Sequence, residues 1–186
     1  MNMQLRRLLL AAMFLALGIL LPMLIGHIIP MGYILLPMHI PVLLCGFICG
    51  GPWGLAVGVV TPLLSSAITG MPPMYPTALA MALELGAYGL LAGVFYRALP
   101  KKNAYLYAAL LLAMIGGRIV WGFATYALLG FDSTAFTWQA FVSGAVISVW
   151  PGILIQIVLI PILMMALKRT KILQEVTRNG NERAAA

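Results

Sequence analysis

Glu84 and Arg118 are the two ionisable side chains that stand inside long apolar runs, and the chemistry open to this sequence begins with them. A charge at the centre of a bilayer costs at least about 2.5 kcal/mol on insertion scales, so each needs a partner or a wet cavity. The runs that hold them are joined by the turn Pro100-Lys101-Lys102-Asn103, which makes them antiparallel neighbours. At 1.5 Å per residue, Glu84 lies ~10 Å below Thr77 and Arg118 ~16 Å below Leu129, so the two long side chains can meet. A structural ion pair bridging two helices is one reading. A binding cavity is the other: Met81, Glu84 and Tyr88 share one helix face, and Arg118, Trp121 and Thr125 share another, by i, i+3, i+7 spacing. Aromatic rings beside a buried charge pair suit the lining of a site for a small polar molecule. Trp150, followed by Pro151, and Gln156 would add a third wall, whereas Trp53 and Trp138, near helix ends, read as lipid-interface anchors.

His39 opens its run within Pro37-Met38-His39-Ile40-Pro41, at the outer mouth, where it is either bonded locally or in contact with a ligand. His39, Cys45 and Cys49 match no usual zinc spacing, so neither a metal nor a cofactor is expected. Cys45 and Cys49, four apart in one run, read as small buried side chains rather than a disulfide. Thr69-Gly70-Met71-Pro72-Pro73-Met74-Tyr75-Pro76 cannot continue a helix, because its prolines remove donors and break the period. It reads as a structured outer loop that caps the site, with Tyr75 among the contacts. The sequence has no G-x-x-x-x-G-K-[ST], H-E-x-x-H or G-x-S-x-G, so no nucleotide-hydrolysing or common hydrolase site is encoded.

The elements that must position these residues are membrane helices. Of 186 residues, 63% are hydrophobic and 8% charged, against roughly 25% charged in soluble domains. At about 20 residues per crossing, there is room for six or seven spans and little else. The reading is an all-α integral membrane protein, a six-helix transmembrane bundle over residues 1–169 with a polar tail over 170–186. The spans run from Leu8 to Ile25, Pro37 to Cys49, Trp53 to Ile68, Thr77 to Leu99 and Ala104 to Leu129. The last begins between Phe136 and Gly144 and ends near Lys168. The loops lie at Gly26 to Tyr33, at Gly50-Gly51-Pro52 and around Gly130, Asp132 and Ser133.

Ten of the eleven basic residues fall at one side of that bundle: Arg6, Arg7, Arg97, Lys101, Lys102, Lys168, Arg169, Lys171, Arg178 and Arg183. The positive-inside rule then makes both termini cytoplasmic. The net charge of +7 is therefore a topology signal, with no aromatic-interleaved patch that would suit nucleic acid. Ala12 and Ala16, Gly46 and Gly50, Gly54 and Gly58, and Gly89 and Gly93 are small-xxx-small pairs that let helix backbones approach closely.

The chain resembles the substrate-binding (S) components of energy-coupling factor transporters, which carry vitamins into bacteria. The resemblance runs through about Leu167. It rests on the helix count, on Ala12-x-x-x-Ala16, on Leu36-Pro37-Met38-His39-Ile40-Pro41-Val42-Leu43-Leu44, and on Thr61-Pro62-Leu63-Leu64-Ser65-Ser66 with Gly70-Met71-Pro72-Pro73. It implies a multi-pass protein of the bacterial cytoplasmic membrane whose helix 1, at Ala12 and Ala16, docks on a membrane-embedded coupling subunit driven by two ATPase subunits. It also implies a vitamin site near the outer face, between helices 4 to 6, where Glu84, Arg118 and Trp121 fall. The His-Ile-Pro-Val-Leu-Leu and Gly-Met-Pro-Pro stretches look most like the pantothenate-type branch, and a carboxylate vitamin suits Arg118 as counter-ion. Two rivals stand beside this reading. A stand-alone secondary transporter would be expected to show an internal repeat, and none is evident between residues 1–90 and 91–170. An intramembrane enzyme would use Glu84 as general acid or base.

Overall fold

The computed structural model describes residues 3–28, 32–100, 103–129 and 137–168. The expected loop at Gly130, Asp132 and Ser133 and the polar tail from Thr170 lie outside the described residues. Among those described there is no strand. The chain forms α1 (Met3–Ile28), α2 (His39–Cys49), α3 (Gly51–Thr69), α4 (Leu79–Ala98), α5 (Asn103–Leu129), α6 (Trp138–Val142) and α7 (Trp150–Lys168). Five stretches are long and apolar enough to cross a membrane: α1, α3, α4 with its leading turn, α5 and α7.

α2 is apolar but has only 11 residues, ~16 Å of helix against a hydrocarbon core of ~30 Å. It starts at His39 rather than Pro37, because Pro37 and Met38 form a turn ahead of it. The chain reaches that point from α1 through a 3-10 turn at Gly32–Leu35 and through Leu36, whose φ is +51°. α1 itself runs past the expected end at Ile25 and takes in Gly26 and His27, whose Nδ1 bonds to the Met23 carbonyl at 2.6 Å. The expected sixth span is broken in two, since a wide turn at Ser143–Ile147 separates α6 from α7. A second wide turn, Met74–Ala78, leads into α4, with Tyr75 extended inside it.

α4 is the central element and packs against α2, α3 and α5. Glycine makes its crossing with α3 possible. A Cβ on Gly54 would lie 2.5 Å from the Gly89 carbonyl oxygen, and one on Gly89, Gly93 or Gly58 would meet backbone of the opposite helix. Gly51, Gly54 and Gly58 face Gly93, Gly89 and Leu85 in turn, so α3 and α4 are antiparallel. The core beside this crossing holds Val42, Leu43, Cys45, Leu85, Tyr88, Leu106 and Leu110. Cys45 and Cys49 are buried free thiols. At the turn Gly50, whose φ of +103° excludes other residues in practice, α2 ends where Arg97 of α4 donates to the Cys49 carbonyl.

Candidate functional site

Glu84 of α4 is 2% exposed and is held from two sides. Arg118 Nη1 of α5 lies 2.7 Å from its Oε1, and His39 Nε2, at the first residue of α2, lies 3.4 Å from the same oxygen. The carboxylate thus sits beside the positive end of a helix that begins inside the bundle. The His39 ring meets Tyr88 edge-on, with centroids 5.1 Å apart and planes at 86°. Tyr88 reaches this position because α5 offers it a glycine: a Cβ on Gly117 would overlap the tyrosine ring.

Sequence reasoning puts His39 at the outer mouth, and the structure buries it instead, at 1% exposed. The cause is the packing of α2 on α4, which sets the first residue of α2 against Glu84 and the Tyr88 ring. Irregular backbone at membrane depth is tolerated where protein buries it or where it lines a cavity, and Gly32–Leu35 with Leu36 supplies such a stretch directly ahead of His39.

The cluster and the helices that surround it carry hydrogen-bonding capacity not used among the described residues. Arg118 Nε and Nη2, His39 Nδ1, Thr125 Oγ1 and both amide atoms of Gln156 are buried without a partner among the described residues. The Tyr88 hydroxyl stands near the Arg118 guanidinium without completing a well-formed hydrogen bond. Arg118 retains 13% exposure, more than Glu84 or His39.

The other expected residues divide into those near the cluster and those away from it. Met81, one turn before Glu84, is partly buried against the core. Trp121, one turn beyond Arg118, stacks on Phe141 of α6 at 6.1 Å and 28°, and Gly144 in the wide turn leaves room for its ring. Tyr75 is 62% exposed and its hydroxyl donates to the Leu128 carbonyl, tying the α3–α4 connection to the end of α5. That connection is pinned internally, since Ser65 and Thr69 hydroxyls donate to the Met71 carbonyl at 2.9 and 3.0 Å. Trp150, at 57% exposed, points away from the interior, while Gln156 of the same helix is fully buried. Ala12 and Ala16 lie on the outward face of α1, opposite the buried Ala11, Phe14 and Gly18. Sequence reasoning did not find Phe141, Gly144 or Gly117. Only the Gly116-Gly117-Arg118 run hinted at close packing beside the arginine.

Charged side chains buried at mid-bundle, flanked by irregular backbone, are what a membrane protein uses to hold a polar solute. The family model described as "ECF transporter, substrate-specific component" matches residues 6–169, nearly the whole chain. The chain belongs to that family. Among curated proteins and solved structures no match is found. S components are membrane-embedded transporter subunits that bind small-molecule substrates and work with a membrane coupling subunit and ATPases. In this S component the Glu84–Arg118–His39 cluster joins buried ionisable side chains from three elements, α2, α4 and α5.

Proposed function

We propose that this S component captures a small water-soluble vitamin bearing a carboxylate, of the pantothenate type, and delivers it inward with a coupling subunit and two ATPase subunits. The reading places it in the bacterial cytoplasmic membrane with both termini inside. One observation carries it: Glu84 occupies Nη1 of Arg118, while Nε and Nη2 are buried and unpartnered among the described residues. Nε–H and one Nη2–H project in parallel from one edge of the guanidinium, which matches the two oxygens of a carboxylate. Glu84 and His39 then hold the arginine in place, and Met81, Tyr88 and Trp121 line the site. Tyr75 and the loop around it close over the bound molecule. Catalysis by Glu84 is the second reading; the ion pair with Arg118 favours the ionised carboxylate and so weighs against a general-acid role.

The test is purification of the tagged chain from a bacterial membrane in mild detergent, followed by native mass spectrometry. The expected result is co-purification of a membrane coupling subunit and two ATPase subunits, with a retained ligand whose mass is that of a vitamin acid. A chain that emerges alone, ligand-free, and fails to bind vitamin acids afterwards would overturn the proposal.

A further inference from the structure

α7 turns Gly152, Gln156, Ile160 and Met164 inward, four apart, and all are buried. Two neighbours fix the depth of Gln156. One turn above it, a Cβ on Gly152 would lie 2.6 Å from the Ile34 carbonyl oxygen and 2.8 Å from the Leu35 carbonyl carbon. Beside it, Ile155 lines an apolar recess together with Pro37, Ile40 and Pro41. Gln156 therefore stands level with the start of α2, where His39 reaches Glu84. It is 0% exposed, yet neither Oε1 nor Nε2 has a partner among the described residues, and His39 Nδ1 has none there either.

A primary amide buried with both ends unpaired is destabilising, and an apolar side chain of the same length would pack there without that cost. A fold with no use for the amide at that position gains nothing by keeping it. We infer that Gln156 is the specificity residue of this site, donating from Nε2 and accepting at Oε1 to a neutral amide, ureide or hydroxyl group on the ligand. This rests on the reading of Arg118 as the carboxylate anchor. Together the two residues assign the ligand class: a monocarboxylate that carries a second, uncharged group able both to donate and to accept a hydrogen bond. A monocarboxylate with no such group strands the amide, and sites built to bond a polar group reject analogues that lack it far more strongly than apolar pockets reject a missing methylene.

Isothermal titration of the full chain in detergent with pantothenate, biotin, nicotinate and lipoate tests this. Pantothenate offers an amide and hydroxyls and biotin a ureide, whereas nicotinate and lipoate offer neither. One of the first two binds, and Gln156→Met lowers its affinity about 10- to 100-fold while raising the melting temperature of the ligand-free protein. Gln156→Glu, close in shape but without the NH₂ donor, shows the same loss of affinity, and serves if the methionine variant does not fold. Unchanged affinity in both variants makes Gln156 structural and leaves the transporter reading standing. Tightest binding of nicotinate or lipoate overturns the ligand class. Binding of none of the four overturns the inference together with the carboxylate anchor on which it rests.

Discussion

Among the described residues Arg118 meets the cost of a buried charge through Nη1 and keeps its Nε–Nη2 edge unspent. That division separates a structural pair from a binding pair experimentally. Arg118→Ala removes the counter-ion of a carboxylate that is 2% exposed, and stranding such a charge costs about 3–5 kcal/mol of stability. Affinity for a vitamin acid falls as well, by about 2–5 kcal/mol, if the free edge holds the ligand. Arg118→Lys restores a cation beside Glu84 and so recovers most of the melting temperature. It recovers only part of the affinity, because an ammonium cannot make two parallel bonds. Titration calorimetry and thermal unfolding of the two variants read these separately. The double change Glu84→Gln with Arg118→Met keeps volume and removes both charges together, so it folds; near-native ligand affinity in that protein would remove both residues from the site.

The elements around the cluster explain which parts of it the sequence could disclose. Turn residues mark the helix ends at Gly50-Gly51-Pro52 and near Pro100 well, and counting from Thr77 and Leu129 brings Glu84 and Arg118 to depths near enough for their side chains to meet. Facing is harder to read. Soluble helices show their buried side by contrast with a polar one, but here both the lipid-facing and inward surfaces are apolar, so the contrast that orients a helix is lost. Trp150 and Gln156 illustrate this: the sequence offers both for one inner wall, and only Gln156 is turned inward. The short reach of α2 is legible in its run, Pro37 to Cys49, but the break at Ser143–Ile147 is hidden, since run length in an apolar stretch does not say whether the backbone stays helical. The α3–α4 connection was legible through its prolines, and it carries a prediction of its own. Gly70, at φ +73°, ends α3 in the left-handed conformation, and Tyr75 fastens the connection to the last turn of α5. A connection so constrained loses little entropy on closing over a ligand. A single reactive cysteine at Met74, introduced into a Cys45→Ala, Cys49→Ala background, is expected to label from outside the cell in the ligand-free protein and to be protected by ligand. Labelling only from the cytoplasmic side would reverse the topology.

At the scale of the whole molecule, burial is distributed unevenly, and the uneven part suggests how the subunit meets its partner. α1 packs on α2 and α3 through Ala11, Phe14 and Gly18, the last against Thr61, and leaves its other side open. Leu5, Leu9, Ala12, Ala16, Leu20 and Met23 form that open face, so two small residues make a shallow trough between larger ones. Such a trough lets a neighbouring helix come close to the α1 backbone, and in a membrane close van der Waals contact is what drives helices together. The charged cluster is reached from α2, α4 and α5, so a partner docked on this face of α1 and a ligand held at the cluster would occupy different parts of the bundle. Ala12→Trp or Ala16→Trp fills the trough with an indole and holds a coupling helix away. Uptake in whole cells is therefore expected to be abolished, while the isolated subunit keeps parental affinity for its ligand and a parental melting temperature. Because the variant chain remains folded and loaded, it should also fail to pull down the coupling subunit. If either substitution instead weakens ligand binding in the isolated protein, α1 belongs to the binding half of the molecule and the division of labour proposed for it is wrong.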